Sequence, residues 1–224
     1  MHDTSEPGKA FYANPNDKDS DWANADETRA HSQRGVMLNN IRAFLNAIDP
    51  NGERQGLLET PERFLKAWEF WTSGHQTDIA SLFKTFDDGA ENYDEMVFVG
   101  AIPFYSQCEH HLAPFFGVAH IGYIPNGKIV GLSKVARLID ALARRLSVQE
   151  RITTQAADAM ETYLTPKGVG VLLQARHMCM ESRGVCKPGT ITTTCALRGV
   201  IKQSADAKAE FMAMVANAKG CGVG

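Results

Sequence analysis

The sequence predicts an α+β protein built on an antiparallel sheet. Three observations predict it. Runs rich in β-branched and aromatic residues begin only at Glu95, after two segments of helical period. Those runs follow one another directly or across a short turn signal, rather than each being followed by its own helix. The two helical segments between them come as a consecutive pair, which suits helices layered on one sheet.

Taken in order, residues 1–34 are rich in Asp, Asn, Ala and Ser and are expected to form a polar, disordered tail. Met37, Ile41, Phe44, Leu45 and Ile48 then recur at helical spacing, and Asp49-Pro50-Asn51-Gly52 stops that helix. Thr60-Pro61 opens the next, with Thr as N-cap and Pro at the first helical position. Phe64, Leu65, Trp68 and Trp71 supply its apolar stripe. Residues 35–94 thus read as an N-terminal helical region ending in a weakly patterned connection from Gly74 to Asp94. Residues 95–224 read as the sheet-bearing domain.

Within that domain, Met96 to Val99 is one strand and Phe116 to Ile124 another, ending in the turn signal Pro125-Asn126-Gly127. Lys128 to Val130 returns as a short partner strand. Ser133 is expected to cap a helix with Val135, Leu138, Ile139 and Leu142 on one face. A second helix follows Ser147, with Ile152, Ala156, Met160 and Tyr163 inward. Strands from Val169 to Cys179 and from Thr190 to Val200 come next, and Ala207 to Ala216 closes as a helix.

Composition excludes several classes. Hydrophobic residues are 44% and charged residues 22%, ordinary for a globular chain. No apolar run approaches the ~20 residues of a spanning helix. The start has no apolar core of a signal peptide, so a cytoplasmic protein is expected. Lys and Arg number 23 against 26 Asp and Glu, and the acidic excess lies in the first 34 residues. A neutral body argues against a nucleic-acid partner, which needs a net basic surface. It leaves room for a local basic pocket.

The five cysteines are an odd count without an export signal, a poor disulfide framework. Cys108-Glu109-His110-His111 sets a thiol and an imidazole three apart, suited to gripping one metal from a tight turn. His177-Met178-Cys179 is a second cluster; on a strand, its two donors would share a face. Zinc suits such mixed sulfur and nitrogen ligands. The competing reading is that a lone Cys is a small buried hydrophobe. Five candidates exceed four positions, so a spare histidine can serve as acid or base. Gly131-Leu132-Ser133-Lys134-Val135-Ala136-Arg137 offers a hydroxyl, helix N–H groups and two cations to a phosphate, or is merely a solvated helix start. Glu150 in Gln149-Glu150-Arg151 either complements the helix dipole or accepts the paired N–H groups of a guanine edge. Arg176, Arg183 and Arg198 straddle the second cluster. Cys186, Cys195 and Cys221 have no ligand pattern and read as structural or free thiols.

Jointly, these motifs resemble GTP cyclohydrolase I. The resemblance rests on Cys108-Glu109-His110-His111, Gly131-Leu132-Ser133-Lys134, Gln149-Glu150-Arg151, and Ala175-Arg176-His177-x-Cys179-Met180-x-x-Arg183-Gly184-Val185. Gly56-Leu57-Leu58-Glu59-Thr60-Pro61-Glu62-Arg63 and the Thr-rich run Thr190 to Thr194 fit too. It spans about Asn40 to Ala216. It implies the tunnelling fold, a four-stranded antiparallel sheet with two helices on one face, after N-terminal helices. It implies a homodecamer of two stacked pentameric rings, and conversion of GTP and water to 7,8-dihydroneopterin triphosphate and formate. By position, Cys108, His111 and Cys179 would bind zinc, and His110 and His177 would be catalytic. Glu150 would bind the guanine edge with Gln149 beside it. Ser133, Lys134, Arg137, Arg183 and Arg63 would hold the triphosphate and ribose. The alternatives are the same chemistry on dGTP, or a non-catalytic zinc module closed by Cys108, His111, His177 and Cys179.

Overall fold

A computed structural model describes residues 21–218 apart from residue 91, with side chains from residue 33 onward. The chain divides into two compact units, Met1–Lys66 and Ala67–Gly224. In the first, helix α1 runs Asp21–Ile48, and α2, Thr60–Trp71, begins there. The first helix therefore starts well before Val36, inside the segment expected to be a tail. That stretch mixes alanines with acidic residues, which favour a helical start. Residues 1–20 of the expected tail lie outside the described residues. Asp49 ends α1 by accepting the amide of Asn51 at 2.9 Å and the guanidinium of Arg54 at 2.8 Å. Arg34 reaches Glu62 at 2.8 Å, both on this unit.

The second unit carries the sheet. The connection after α2 is not featureless: it holds a one-turn helix α3, Ile79–Leu82, and a two-residue strand β1, Thr85–Phe86. Long strands β2, Val97–Cys108, and β3, Pro114–Ile124, follow. The short β4, Ile129–Val130, was expected to pair with the strand before it. It pairs antiparallel with β1 instead. Next come helix α4, Leu132–Ala143, the two-residue β5, Leu146–Ser147, and helix α5, Gln149–Leu164. Strand β6, Gly168–His177, leads into the one-turn helix α6, Met178–Glu181. Strand β7, Ile191–Arg198, leads into α7, Gly199–Gln203, and α8, Ala205–Asn217.

The main sheet has the order β5-β2-β3-β6-β7. Its four long strands are antiparallel throughout, as expected, and β5 adds a short parallel pairing to β2. Helices α4 and α5 lie side by side on one face. The core between them and the sheet is closed by Phe104, Phe115, Ile121, Leu138, Ile152 and Met160, each at most 1% exposed. Apolar period sets this layer: Val135, Leu138, Ile139 and Leu142 are the buried stripe of α4. On the opposite face α8 lays buried Phe211 over Gly122 and Gly170, where a Cβ would come within 2.8 Å and 3.0 Å of its ring.

Two local features hold β3 in place. The register of β2 against β3 shifts between Val99 and Ile102, and Ala101 there has φ +54°. Buried His120 on β3 accepts the Ala101 amide on Nδ1 at 3.2 Å, satisfying the donor that the bulge frees. Gly117, also on β3, faces Ala175 across the ladder, and a Cβ there would lie 1.9 Å from the main-chain oxygen of Gln174. Backbone on both sides of that contact is locked in the ladder. Gly117→Ala should therefore destabilise the fold by about 3 kcal/mol, lowering Tm by roughly 6–12 °C. An unchanged thermal midpoint by differential scanning calorimetry would contradict the close approach.

Candidate active site

The site gathers at one end of the sheet. Strand β2 ends at Cys108, and the chain turns back at once, with the amides of His111 and Leu112 both directed to the Cys108 carbonyl. This is the tight turn the spacing predicted. Strand β6 ends at His177, two residues earlier than expected, because α6 begins at Met178. His177 and Cys179 thus do not share a strand face. The helical turn still brings the Cys179 thiol to Cys108 and His111: one ligand atom from each lies within 4.8 Å of the others. Cys108 Sγ is 3.8 Å from His111 Nδ1.

Zinc ligands at ~2.3 Å for sulfur and ~2.0 Å for nitrogen stand about 3.6 Å apart in a tetrahedron. The Cys108–His111 separation fits that spacing, the Cys179 thiol lies within 4.8 Å of both, and the sulfur and nitrogen chemistry of the three fits zinc. Burial, then the Cys108 thiol beside it, pushes the Cys179 thiol up, while Arg183 pulls it the other way. His110 is exposed, its ring 6.2 Å from that of His111 and nearly perpendicular to it.

His177 is half-buried beneath this cluster, its ring stacked on Phe115 at 4.7 Å with an interplanar angle of 2°. Burial lowers its pKa, partly offset by the Glu150 carboxylate. A neutral imidazole is therefore the resting form near neutral pH. Its Nε2 lies 2.8 Å from Gln149 Oε1. Gln149 opens α5 and was expected beside a bound base. Its side chain is instead 1% exposed and is fully engaged by the protein: Nε2 contacts Leu173 O, Thr192 O and Thr194 Oγ1 at 3.0–3.1 Å. Neighbouring Glu150 is exposed.

Glu109 is anchored twice. Its amide donates to Ser147 O at 3.1 Å, and its carboxylate takes both arms of Arg151. That bidentate pair joins the 108–111 turn to the first turn of α5. No motif marked it in the sequence, though each partner adjoins a residue that was singled out.

The cations separate into two groups. Arg151, Arg176 and Arg198 are paired with Glu109, Glu181 and Asp158. Among the described residues, Lys134, Arg137 and Arg183 make no ion pair; Ser133 is exposed and Lys134 half-buried in the first turn of α4, Arg137 is exposed one turn on, and Arg183 is exposed just after α6. Gly131 rather than Ser133 occupies the N-cap, so the Ser133 hydroxyl is not consumed in capping. Arg63 belongs to the first unit and pairs with Glu59, which immediately precedes its helix. Cys186 and Cys195 are free and exposed, while Cys221 lies outside the described residues.

Comparison with known proteins gives a consistent picture. The GTP cyclohydrolase I family profile matches residues 37–216. A GTP cyclohydrolase 1 of Janthinobacterium sp. (strain Marseille) is 54% identical over 171 residues, 76% of this chain and 86% of that one. The GTP cyclohydrolase 1 of Nitrosospira multiformis is also 54% identical, over 76% of this chain and 90% of its own. That of Chlorobaculum tepidum is 47% identical over 183 residues, 82% of this chain and 81% of its own.

The donor geometry makes one prediction directly. The purified protein should hold about one transition-metal ion per chain, and Cys179→Ser should lose most of it while keeping the same assembly mass. Plasma mass spectrometry on both proteins decides this. Full occupancy in the variant would remove Cys179 from the ligand set.

Proposed function

The chain belongs to the GTP cyclohydrolase I family and is a GTP cyclohydrolase, and from that premise we propose the roles of its residues and its product. The product we assign is 7,8-dihydroneopterin triphosphate, with formate released. The observation that carries the site assignment is the convergence of Cys108, His111 and Cys179 within 4.8 Å, beside a neutral, oriented His177 and an exposed Glu150. In this reading Cys108, His111 and Cys179 hold zinc. Bound zinc supplies activation of water near neutral pH.

The remaining work belongs to side chains. Glu150 accepts the N1–H and N2–H groups of guanine, two donors that one carboxylate matches side by side. Lys134, Arg137 and Arg183, with the Ser133 hydroxyl, bind the triphosphate; their lack of carboxylate partners supports this. Arg63 is assigned to the same anion on the family resemblance. His110 gives a proton to N7, which makes C8 a better target for water. Ring opening leaves a formamide, whose hydrolysis yields formate. The ribose then opens and rearranges through serial proton transfers, which a neutral imidazole at His177 can accept and return.

For the architecture we propose the tunnelling fold, with residues 95–224 as its catalytic domain and 35–94 as a helical region before it. We also propose a homodecamer of two stacked pentamers. Strand β7 ends the sheet at an open edge among the described residues, which leaves its ladder groups for a neighbouring subunit. No helix among the described residues is long and apolar enough to cross a membrane.

Incubation with GTP tests the reading as a whole: formate and a fluorescent pterin after oxidation should appear together. Neither product would refute it, and dGTP run in parallel reads the sugar preference. A closed zinc module using Cys108, His111, His177 and Cys179 would produce nothing from either.

Two substitutions test the division of labour. His110→Ala and His177→Ala should each keep metal but lose turnover by about 10²–10⁴-fold. Metal loss in either would make that histidine a ligand. Glu150→Gln keeps the shape but presents an amide N–H₂ to the donors of the base. Turnover of GTP should fall sharply with the thermal midpoint nearly unchanged. Equal kinetics for the two proteins would reduce Glu150 to a helix-start carboxylate.

A further inference from the structure

The buried amide of Gln149 carries more than orientation. Its Nε2 faces the main-chain oxygens of Leu173 at 3.1 Å and Thr192 at 3.0 Å. Carbonyl oxygens only accept, so the amide nitrogen must lie on that side; a flipped amide would press Oε1 against both. A hydroxyl relay agrees. Thr153 Oγ1 lies 2.8 Å from Gln149 O and gives that carbonyl its one hydrogen. Thr194 Oγ1, 2.6 Å from Thr153 Oγ1, must then donate to it and faces Gln149 Nε2 at 3.0 Å as an acceptor, so the two amide hydrogens are shared among three acceptors. The nitrogen side of the amide thus meets acceptors alone, and Oε1 is left facing His177 Nε2 at 2.8 Å.

An amide oxygen cannot donate, so the hydrogen of that contact sits on His177 Nε2. We infer that Gln149 is a positioning residue that fixes the neutral His177 ring in the form with its hydrogen on Nε2 and its free lone pair on Nδ1. A half-turn of the ring would place Cε1 against Oε1 and leave a buried acceptor unpaired, which disfavours it. Phe115, stacked flat on the ring, holds its plane. The inference rests on the proposed catalytic role of His177 and adds which ring nitrogen carries the hydrogen.

The test is nitrogen NMR of the full chain, metal-loaded, with ¹⁵N-labelled histidine. His177, assigned by its absence in His177→Ala, should show hydrogen on Nε2 and a bare Nδ1 at alkaline pH. Gln149→Met should keep metal and assembly, lose that single form, and lower kcat by at least about tenfold while KM changes less. A wild-type spectrum in which that resonance carries hydrogen on Nδ1 overturns the inference, whether or not Gln149→Met folds. So does Gln149→Met with kcat and the single Nε2–H form both intact. Full turnover in His177→Ala would overturn the proposed catalytic role of His177, while the measured hydrogen position would still stand.

Discussion

Antiparallel pairing on both flanks of β3 forces the ends of β2 and β6 to the same end of the sheet. Gln107 lies opposite Pro114, and His177 lies opposite Phe115, so both flanking strands finish beside the first residues of β3. Two strand spacings, about 9–10 Å, would still separate donors on the strands themselves. The turn after Cys108 and the helical turn after His177 close that gap to 4.8 Å. Residues seventy positions apart thus meet because one strand is shared, and the glycine that lets β3 approach β6 closely sits on that strand. Anything that slips the register of β3 moves both halves of the site at once.

The parts of this arrangement that are local in sequence were legible. The periods of α4 and α5, the body of β3 up to Pro125-Asn126-Gly127, and the Cys108-x-x-His111 turn each show in a window of a few residues; β2 was legible only over Met96 to Val99 and runs on to Cys108. The parts set by distant partners were not. Two-residue strands such as β1, β4 and β5 carry no periodic signal, so the pairing of β4 with β1 could not be read. The end of β6 was hidden because Met178, Cys179 and Met180 suit a strand and a helical turn alike. Gln149 was misplaced for a clearer reason. At a helix start beside Glu150 it reads as an exposed polar residue, and it is buried only because β7 brings Thr192 and Thr194 over it.

Charge shows the same division. The sequence could not separate arginines that serve the fold from cations that face a ligand, because the body is nearly neutral and each basic residue has acidic neighbours somewhere in the chain. In the structure Arg151 and Arg176 are drawn into carboxylates that brace the two turns of the site, 108–111 and 178–181. Such partly exposed pairs add little to stability. Their larger effect is to occupy Glu109 and Glu181, while Lys134, Arg137 and Arg183 have no carboxylate partner among the described residues.

The thiols supply the complementary case. Cys108 and Cys179 are brought close together in a partly buried place, where two thiolates would repel and each would be poorly solvated. Burial and the neighbouring sulfur accordingly push Cys179 up. Left to itself Cys179 favours the thiol, and Arg183 offsets this only in part. A divalent cation held between them would reverse the balance, since each thiolate would then gain an attraction larger than the cost of losing water, and its arrival would release protons. The fold thus holds together two groups that are unfavourable as anions without a cation, next to an imidazole that burial keeps neutral. Both conditions come from the same wall of Phe115, Gln149 and the end of the sheet.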